Sequence, residues 1–395
     1  MLKEKIKSKA SAYKDEYIAV RRHLHRHPEL SYKERETSLF VQKQLSQYGI
    51  PFAVMAETGV VGLIEGVNPA SRIIALRADM DALPIEELND IDFKSENKGV
   101  MHACGHDVHT TCLLGAARIL SELKEEWEGT VKLIFQPGEE KNPGGASLMI
   151  KAGVLGNPKP QGIFGLHVHP LLPVGRLSFR EGKCMASADE LYFTIKGKGG
   201  HAAQPNLTVD TILAASQLVV NLQQVISRNR NPFSPSVLSI CSFQGGYTTN
   251  VIPSEVQLKG TFRAMDEAWR FRAHELIANE ADGTALATGA TIDTLVDVGY
   301  PSVDNNADFT KVGRAIAEDF LGADNVEETE LRMGAEDFGY YTQAIPGCFF
   351  RLGVRNEEKG YVNNVHTPHF MVDENAIEIG MGVMAFLGAT AVLIQ

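Results

Sequence analysis

Cysteine is sparse in this chain. Five cysteines, at positions 104, 112, 184, 241 and 348, serve 395 residues. The odd number and wide spacing exclude the disulfide framework of a small secreted protein, and no Cys-x-x-Cys redox motif is present. Basic charge is also short: 38 Lys and Arg stand against 49 Asp and Glu, a net charge of −11. No Lys/Arg-rich run offsets this, so nucleic acid is not an expected partner. Long apolar runs are missing. The nearest approach, 379–394, is shorter than the ~20 residues of a spanning helix. It also contains Gly380, Gly382 and Gly388, and reads as a buried closing helix rather than a tail anchor. Residues 1–17 are charged and lack the apolar core of a signal peptide. These absences lead to the expectation of a soluble cytoplasmic protein with no membrane partner. Repeats and low-complexity tracts are absent too.

A chain of 395 residues exceeds one typical core and suits two domains. Residues 3–27 carry apolar side chains every three or four positions and predict a helix. His23, His25 and His27 close it; spaced by two, they do not share a helical face, and are taken as surface or cap residues. From 52 to 170, short apolar strands (60–64, 73–76, 131–135, 163–166) alternate with helices (110–123, 146–152). That order implies a largely parallel sheet covered on both faces, with sites at the carboxyl ends of strands. From 184 to 297 the order is βαββαβ, that of a ferredoxin-like sandwich. The helix–strand–helix–strand–helix return after Pro301 then rejoins the first domain. The expected fold class is therefore α/β, with a catalytic domain of 1–183 and 298–395 and an inserted α+β domain of 184–297.

Against this frame stand clusters of side chains able to bind metal. Cys104-Gly105-His106-Asp107 sets a thiol and an imidazole around a glycine that permits a sharp turn. The plain alternative is a buried cysteine beside a turn. Glu139-Glu140 follows an apolar strand and Pro137-Gly138. As adjacent carboxylates they are solvated loop charges unless a cation sits between them. In that case Glu140 binds the ion and Glu139 is the general base for a water whose pKa falls from ~16 to ~7. His167 and His169 sit at a strand terminus. Only His167 is taken as a ligand, on the expectation that the two project to opposite sides. His366 precedes Thr367-Pro368, where an extended backbone would suit a fixed loop ligand. His102 and His109 carry less weight; His109 reads as a capping or packing residue. His201 lies in the Gly-rich loop 197–205, Asn250 in the turn 245–253, and Arg263 just past a strand, where its fork suits a carboxylate.

In this order the motifs are specific. Arg77-Ala78-Asp79-Met80-Asp81-Ala82-Leu83-Pro84, Cys104-Gly105-His106-Asp107, Gln136-Pro137-Gly138-Glu139-Glu140, Gly199-Gly200-His201-Ala202, Asn250-Val251-Ile252-Pro253, Gly334-Ala335-Glu336-Asp337-Phe338 and His366-Thr367-Pro368 follow one another along the chain. The chain resembles, over essentially its entire length, the metallopeptidase-like amidohydrolases. These include aminoacylase, hippurate hydrolase, carboxypeptidase G and N-acetyl-diaminopimelate deacetylase. It is most similar to the Cys-Gly-His-Asp branch, which also holds plant auxin-conjugate hydrolases. The resemblance implies a site for two divalent ions, zinc or manganese, with cobalt or nickel also compatible. Its ligands are Cys104, His106, Glu140, His167 and His366, with Cys104 bridging or lying between the ions. It implies Glu139 as the general acid/base and His201 as a lid histidine that stabilises the tetrahedral intermediate, reaching into the partner subunit's site. Asn250 and Arg263 match positions that hold a substrate carboxylate, and the inserted domain would be both lid and homodimer interface. Many relatives open with His-x-Asp-x-x-Pro; here Asp79 stands at the histidine position, which leaves the roles of Asp79, Asp81 and Asp107 open. The expected reaction is hydrolysis of N-acyl amino acids. A dipeptidase or carboxypeptidase of the same family, and a metal-binding dimer without catalysis, are the alternatives.

Overall fold

A computed structural model describes residues 1–392; positions 393–395, which include the last two residues of the apolar stretch 379–394, lie outside the described residues. The chain forms two compact units. One comprises Met1–Gly182, Asp304–Glu330 and Tyr340–Gln395, the other Lys183–Val303 and Leu331–Gly339. Residues 183, 298–303 and 331–339 thus group with the second unit, whereas the sequence reading placed 1–183 and 298–395 in the first. Backbone bonds account for 331–339: the Ala186 N–H donates to the Arg332 carbonyl and the Arg332 N–H to the Cys184 carbonyl, each at 3.1 Å.

The first unit opens with α1 (Leu2–Arg26), whose Ile6, Ala10, Tyr17 and Leu24 are buried. His25 is buried as well, which corrects its reading as a surface or cap residue; it lies one turn beyond the buried Arg21, on the same face. There follow α2 (Arg35–Gln47), β1 (Phe52–Met55), β2 (Gly59–Glu65), β3 (Ile73–Asp79), α3 (His106–Glu122), β4 (Thr130–Gln136), α4 (Gly145–Lys151), β5 (Gly162–Pro173) and β6 (Leu177–Phe179). In the second unit come β7 (Asp189–Lys196), β8 (Gly200–His201), α5 (Thr211–Gln224), β9 (Ser236–Gln244), β10 (Val251–Ile252), β11 (Glu255–Ala264), α6 (Glu267–Thr288) and β12 (Thr291–Val298). The chain returns to the first unit with α7 (Ala307–Leu321), β13 (Val326–Glu328), β14 (Gly347–Arg355) and α8 (Asn375–Thr390).

The first unit is built on an eight-stranded sheet of order β1-β2-β4-β3-β5-β14-β6-β13. Its centre, β4-β3-β5-β14, is parallel, and antiparallel pairs lie toward either side. Ile74, Ala75 and Leu76 of β3 have no exposure. A continuous apolar run of this kind belongs to a strand covered on both faces. Each such Ile or Leu contributes about 1.5–3 kcal/mol by leaving water. His167 pairs in register with Arg351 of β14, so β5 continues to Pro173 instead of ending at Leu166. Residues two apart on a strand share a face, so His167 and His169 are not opposed by alternation as expected.

The second unit is an antiparallel sheet of order β9-β11-β7-β12, the ferredoxin-like arrangement. Leu191, Phe193 and Ile195 alternate along β7 and pack with Ala214, Leu218 and Leu222 of α5 and Ala273 and Ile277 of α6. Asp266 caps α6 by accepting the Trp269 N–H, and Gly289, at φ +76°, ends it. Among the described residues, no helix is long and apolar enough to cross a membrane.

Candidate active site

In the first unit the polar motifs follow the carboxyl ends of the central strands. Asp79 is the last residue of β3. β4 ends at Gln136, and Pro137-Gly138 lead to Glu139 and Glu140. His106 opens α3, preceded by Gly105 at φ +87°. A Cβ on Gly105 would lie 2.4 Å from Val168 Cγ2, so only glycine lets Cys104 and His106 flank this turn against β5. His366 lies in the segment before α8. Its N–H donates to the Ala103 carbonyl at 2.8 Å, which ties it to the Cys104 loop. Its backbone is left-handed, φ +63°, not extended as expected; the restriction imposed by Pro368 acts on Thr367, the residue directly before it.

Hydrogen bonds fix the two buried imidazoles in a form ready to bind a cation. His106 Nδ1 is 2.9 Å from the Asp81 carbonyl oxygen, and His167 Nδ1 is 2.7 Å from the Val168 carbonyl oxygen. A carbonyl only accepts, so both Nδ1 atoms carry a proton, and Nε2 is the nitrogen each ring keeps for a cation. His167 Nε2 faces Cys104 Sγ at 3.5 Å. His106 Nε2 is buried without a hydrogen-bond partner, an arrangement that costs about 1–3 kcal/mol unless something binds there. The ligand atoms of Cys104, His106 and His167 lie within 4.8 Å of one another, as do those of Cys104, Glu140 and His366. The Cys104 sulfur belongs to both sets. His106, Glu139 and Glu140 form a third set by the same measure. Thiol, imidazole and carboxylate donors converging around an unsatisfied Nε2 fit divalent ions of the zinc class.

The electrostatics draw positive charge inward. Burial disfavours a charged His106, but Asp79 and the Cys104 thiol hold its pKa well above the ordinary imidazole value. Cys104 and Glu140 push His366 up to about 10. Burial first, then the charges of His109 and Arg351, keep His167 well below the ordinary value. Burial and Glu140 raise the Cys104 thiol, so its thiolate requires a cation beside it.

A model of peptidase family M20/M25/M40 matches residues 75–388. The chain belongs to this family. It is 42% identical over 393 residues to IAA-amino acid hydrolase ILR1-like 5 of Arabidopsis thaliana, covering 98% of this chain and 89% of that protein. It is 40% identical over 391 residues to thermostable carboxypeptidase 2 of Saccharolobus solfataricus, covering 98% of each. Among solved structures, the YXEP protein of Bacillus subtilis, a dinuclear metal-binding peptidase of family M20, matches with a TM-score of 0.82 at 35% identity. That match covers 97% of this chain and 100% of the other. This M20 chain is accordingly a metal-dependent hydrolase of amide bonds.

Around the M20 motifs lies a buried layer that motif reading left unassigned. Asp81 accepts the backbone N–H groups of Glu139 at 3.0 Å and Glu140 at 2.9 Å, and the Ser31 hydroxyl at 2.6 Å. Asp79 receives Arg77 Nη1 at 2.5 Å and His109 Nδ1 at 2.6 Å, and His109 Nε2 accepts the Val168 N–H at 2.9 Å. Burial opposes the ionisation of Asp79, but Arg77, His106 and His109 together hold it well below the usual carboxylate range. Asp107 receives Arg21 Nε at 2.7 Å and His25 Nδ1 at 2.8 Å. Apart from Arg77 and Asp79, two residues apart, these partners are separated from one another by tens of residues, and no local pattern announces them. The remaining predicted residues are on the second unit. His201 is exposed and pairs across the β8–β10 ribbon with Val251, next to Asn250, whose carbonyl accepts the Ala202 N–H at 3.0 Å. Arg263 sits on β11, with Nε donating to the Thr261 hydroxyl at 3.1 Å.

Proposed function

We propose that this M20 hydrolase cleaves the amide bond between an acyl group and an amino acid. Cys104, His106, Glu140, His167 and His366 hold two divalent ions, zinc or manganese foremost, with cobalt or nickel as substitutes. The observation that carries this reading is the meeting of two donor sets on Cys104 Sγ next to Glu139 and Glu140. Bound there, the ions would polarise the scissile carbonyl and acidify water. His106 and His167 would bind through Nε2, because their Nδ1 protons are spent on carbonyls; at His106 the ion would take the place of a proton that Asp79 and Cys104 favour. Glu139, 5% exposed, takes a proton from the attacking water and returns it to the leaving amine. Asp81 steadies both carboxylate-bearing residues through their N–H groups. His201 is assigned to the oxyanion, and Asn250 and Arg263 to the substrate carboxylate. The second unit is assigned as lid and homodimer surface, and the protein to the cytoplasm.

The amino-acid amide class draws support from the Arabidopsis relative at 42% identity. The Saccharolobus carboxypeptidase at 40% favours a second reading, in which the acyl group is itself an amino acid. The test is hydrolysis of N-benzoylglycine, N-acetylmethionine and N-acetyl-diaminopimelate beside free dipeptides, before and after chelation and return of metal. Metal-dependent cleavage of the acyl amino acids is expected. Cleavage of dipeptides alone would transfer the assignment to the peptidase reading. Silence on every substrate with metal demonstrably bound would leave a non-catalytic metal-binding protein.

A further inference from the structure

The segment between α1 and α2 reaches the loop that carries Glu139 and grips it at several points. Glu34 is buried with no exposure. Its Oε1 accepts the N–H of Gly138 at 2.8 Å and of Tyr32 at 2.8 Å, and its Oε2 accepts the Thr58 hydroxyl at 3.0 Å. The Tyr32 hydroxyl donates to the Lys141 carbonyl and accepts the Gly144 N–H at 3.0 Å. The Tyr32 ring lies so close to Gly138, φ +56°, that a Cβ there would be 2.2 Å from Tyr32 Cε1. The loop closes on itself through the Gly145 N–H and the Gly138 carbonyl, 2.9 Å apart. With Asp81 taking the next two, three consecutive N–H groups, at 138, 139 and 140, are received by two buried carboxylates. Asp81 receives the N–H groups of the two carboxylate-bearing residues; Glu34 and Tyr32 hold the loop on either side of them.

We propose that Tyr32 and Glu34 are positioning residues for Glu139: they clamp the 138–145 loop so that its carboxylate keeps one place during proton transfer. This rests on the assignment of Glu139 as the proton carrier. The clamp works through hydrogen-bond acceptance. The Tyr32 and Gly138 N–H groups fall on Oε1, and Oε2 meets the Thr58 hydroxyl, which can reverse its role. A glutamine at 34 therefore reproduces it: its carbonyl oxygen takes both N–H groups, and its amide donates to Thr58. Alanine leaves two buried donors without a partner and a void beneath the loop. Displacing a catalytic group by about an ångström lowers turnover by up to about a hundredfold.

The test uses the full-length, metal-loaded protein and four variants: Glu34→Ala, Glu34→Gln, Tyr32→Phe and Glu139→Gln. Three readouts are taken: kcat and KM on the best acyl amino acid, bound metal, and hydrogen exchange resolved to the peptide spanning 137–145. The expected result is a fall in kcat of about ten- to a hundredfold for Glu34→Ala. KM and metal content should hold, exchange should quicken in 137–145, and Glu34→Gln should restore all of it. Tyr32→Phe, which keeps the ring and loses only the hydroxyl, should quicken exchange in the same peptide with a smaller fall in kcat. Wild-type kcat in both Glu34→Ala and Tyr32→Phe, beside an inactive Glu139→Gln, would overturn the clamp and leave the role of Glu139 intact. Loss of activity that follows metal loss or chain-wide exchange would also overturn it. An active Glu139→Gln would remove the proton-carrier assignment, and the clamp's purpose with it.

Discussion

Each unit buries a carboxylate between a guanidinium and an imidazole, and the surroundings of the two clusters differ. In the second unit Asp189 Oδ1 accepts from Arg270 Nη2 at 2.5 Å and the Gly299 N–H at 3.2 Å. Its Oδ2 accepts from Arg270 Nε at 2.9 Å and His274 Nε2 at 2.7 Å. Gly299 follows β12, and Asp189 begins β7, so this cluster ties the start of β7 to the end of its neighbouring strand β12. In the first unit Asp107 is gripped in the same way by Arg21 and His25. Its neighbours, however, keep buried ring nitrogens with no hydrogen-bond partner: Nε2 of His106 and both nitrogens of His102, whose pKa burial pushes down to about 4. A fully paired cluster stabilises a fold. Imidazole nitrogens left without a partner beside a thiol indicate a place for a ligand.

Removing metal should break this contrast most completely. Chelation is expected to abolish amide hydrolysis, and added zinc or manganese to restore it, without unfolding the second unit, whose carboxylate cluster is already paired. Full turnover in protein shown to be metal-free would refute the assignment of the Cys104 cluster. Next in size is Glu139→Gln, which keeps the loop's hydrogen bonds but cannot accept the proton. A fall in kcat of about 10²- to 10⁴-fold is expected with bound metal unchanged. Comparable rates for variant and wild type would end the proton-transfer role.

The other side of the comparison is addressed by Asp189→Ala. It strands the buried Arg270 guanidinium, and losing one partner of a buried pair destabilises by about 3–5 kcal/mol. Denaturant unfolding should report that loss, while metal affinity at Cys104 and His106 stays at the wild-type level. Unchanged stability would mean that Arg270 finds adequate partners in Glu267 and the Gly299 carbonyl, which it already contacts at 2.9 and 3.0 Å.

The same contrast explains what could be read from sequence. Strand–helix alternation along 52–170 and the βαββαβ order of 184–297 were legible because apolar period and Gly/Pro punctuation are local signals. So were the ligand motifs, each of which has a glycine or proline within three residues of its metal-binding side chain. Helix α6 runs through Gly283 to Thr288 and stops at the left-handed Gly289. Helix α2 escaped notice because its first turn, Arg35-Glu36-Thr37-Ser38, is wholly polar. His25, Tyr32, Glu34 and Asp81 were silent for another reason. Their partners lie 82, 112, 104 and 58 residues away, at Asp107, Gly144, Gly138 and Glu139, so only the closed fold reveals what each one holds.

The smallest predicted effect concerns Glu34 and pH. Burial, then the nearby charge of Asp81, push its carboxyl from 4.5 to about 7. A raised carboxyl pKa means that the folded chain holds this proton more tightly than the unfolded one. Stability is therefore greatest below pH 4.5 as far as this group is concerned, declines as pH rises toward 7, and levels off above it. Over that interval the decline reaches at most about 3 kcal/mol. Glu34→Gln carries no ionisable proton and escapes the loss. In chelated protein, where no cation offsets the carboxylate charge, the variant should match wild type near pH 4.5 and unfold at higher denaturant at pH 8. Bound metal should narrow the gap, since positive charge near Asp81 relieves the repulsion that raises Glu34. A gap of equal size at both pH values would show that Glu34 titrates as an ordinary carboxylate. Its acceptance of the Gly138 and Tyr32 N–H groups would then outweigh its burial.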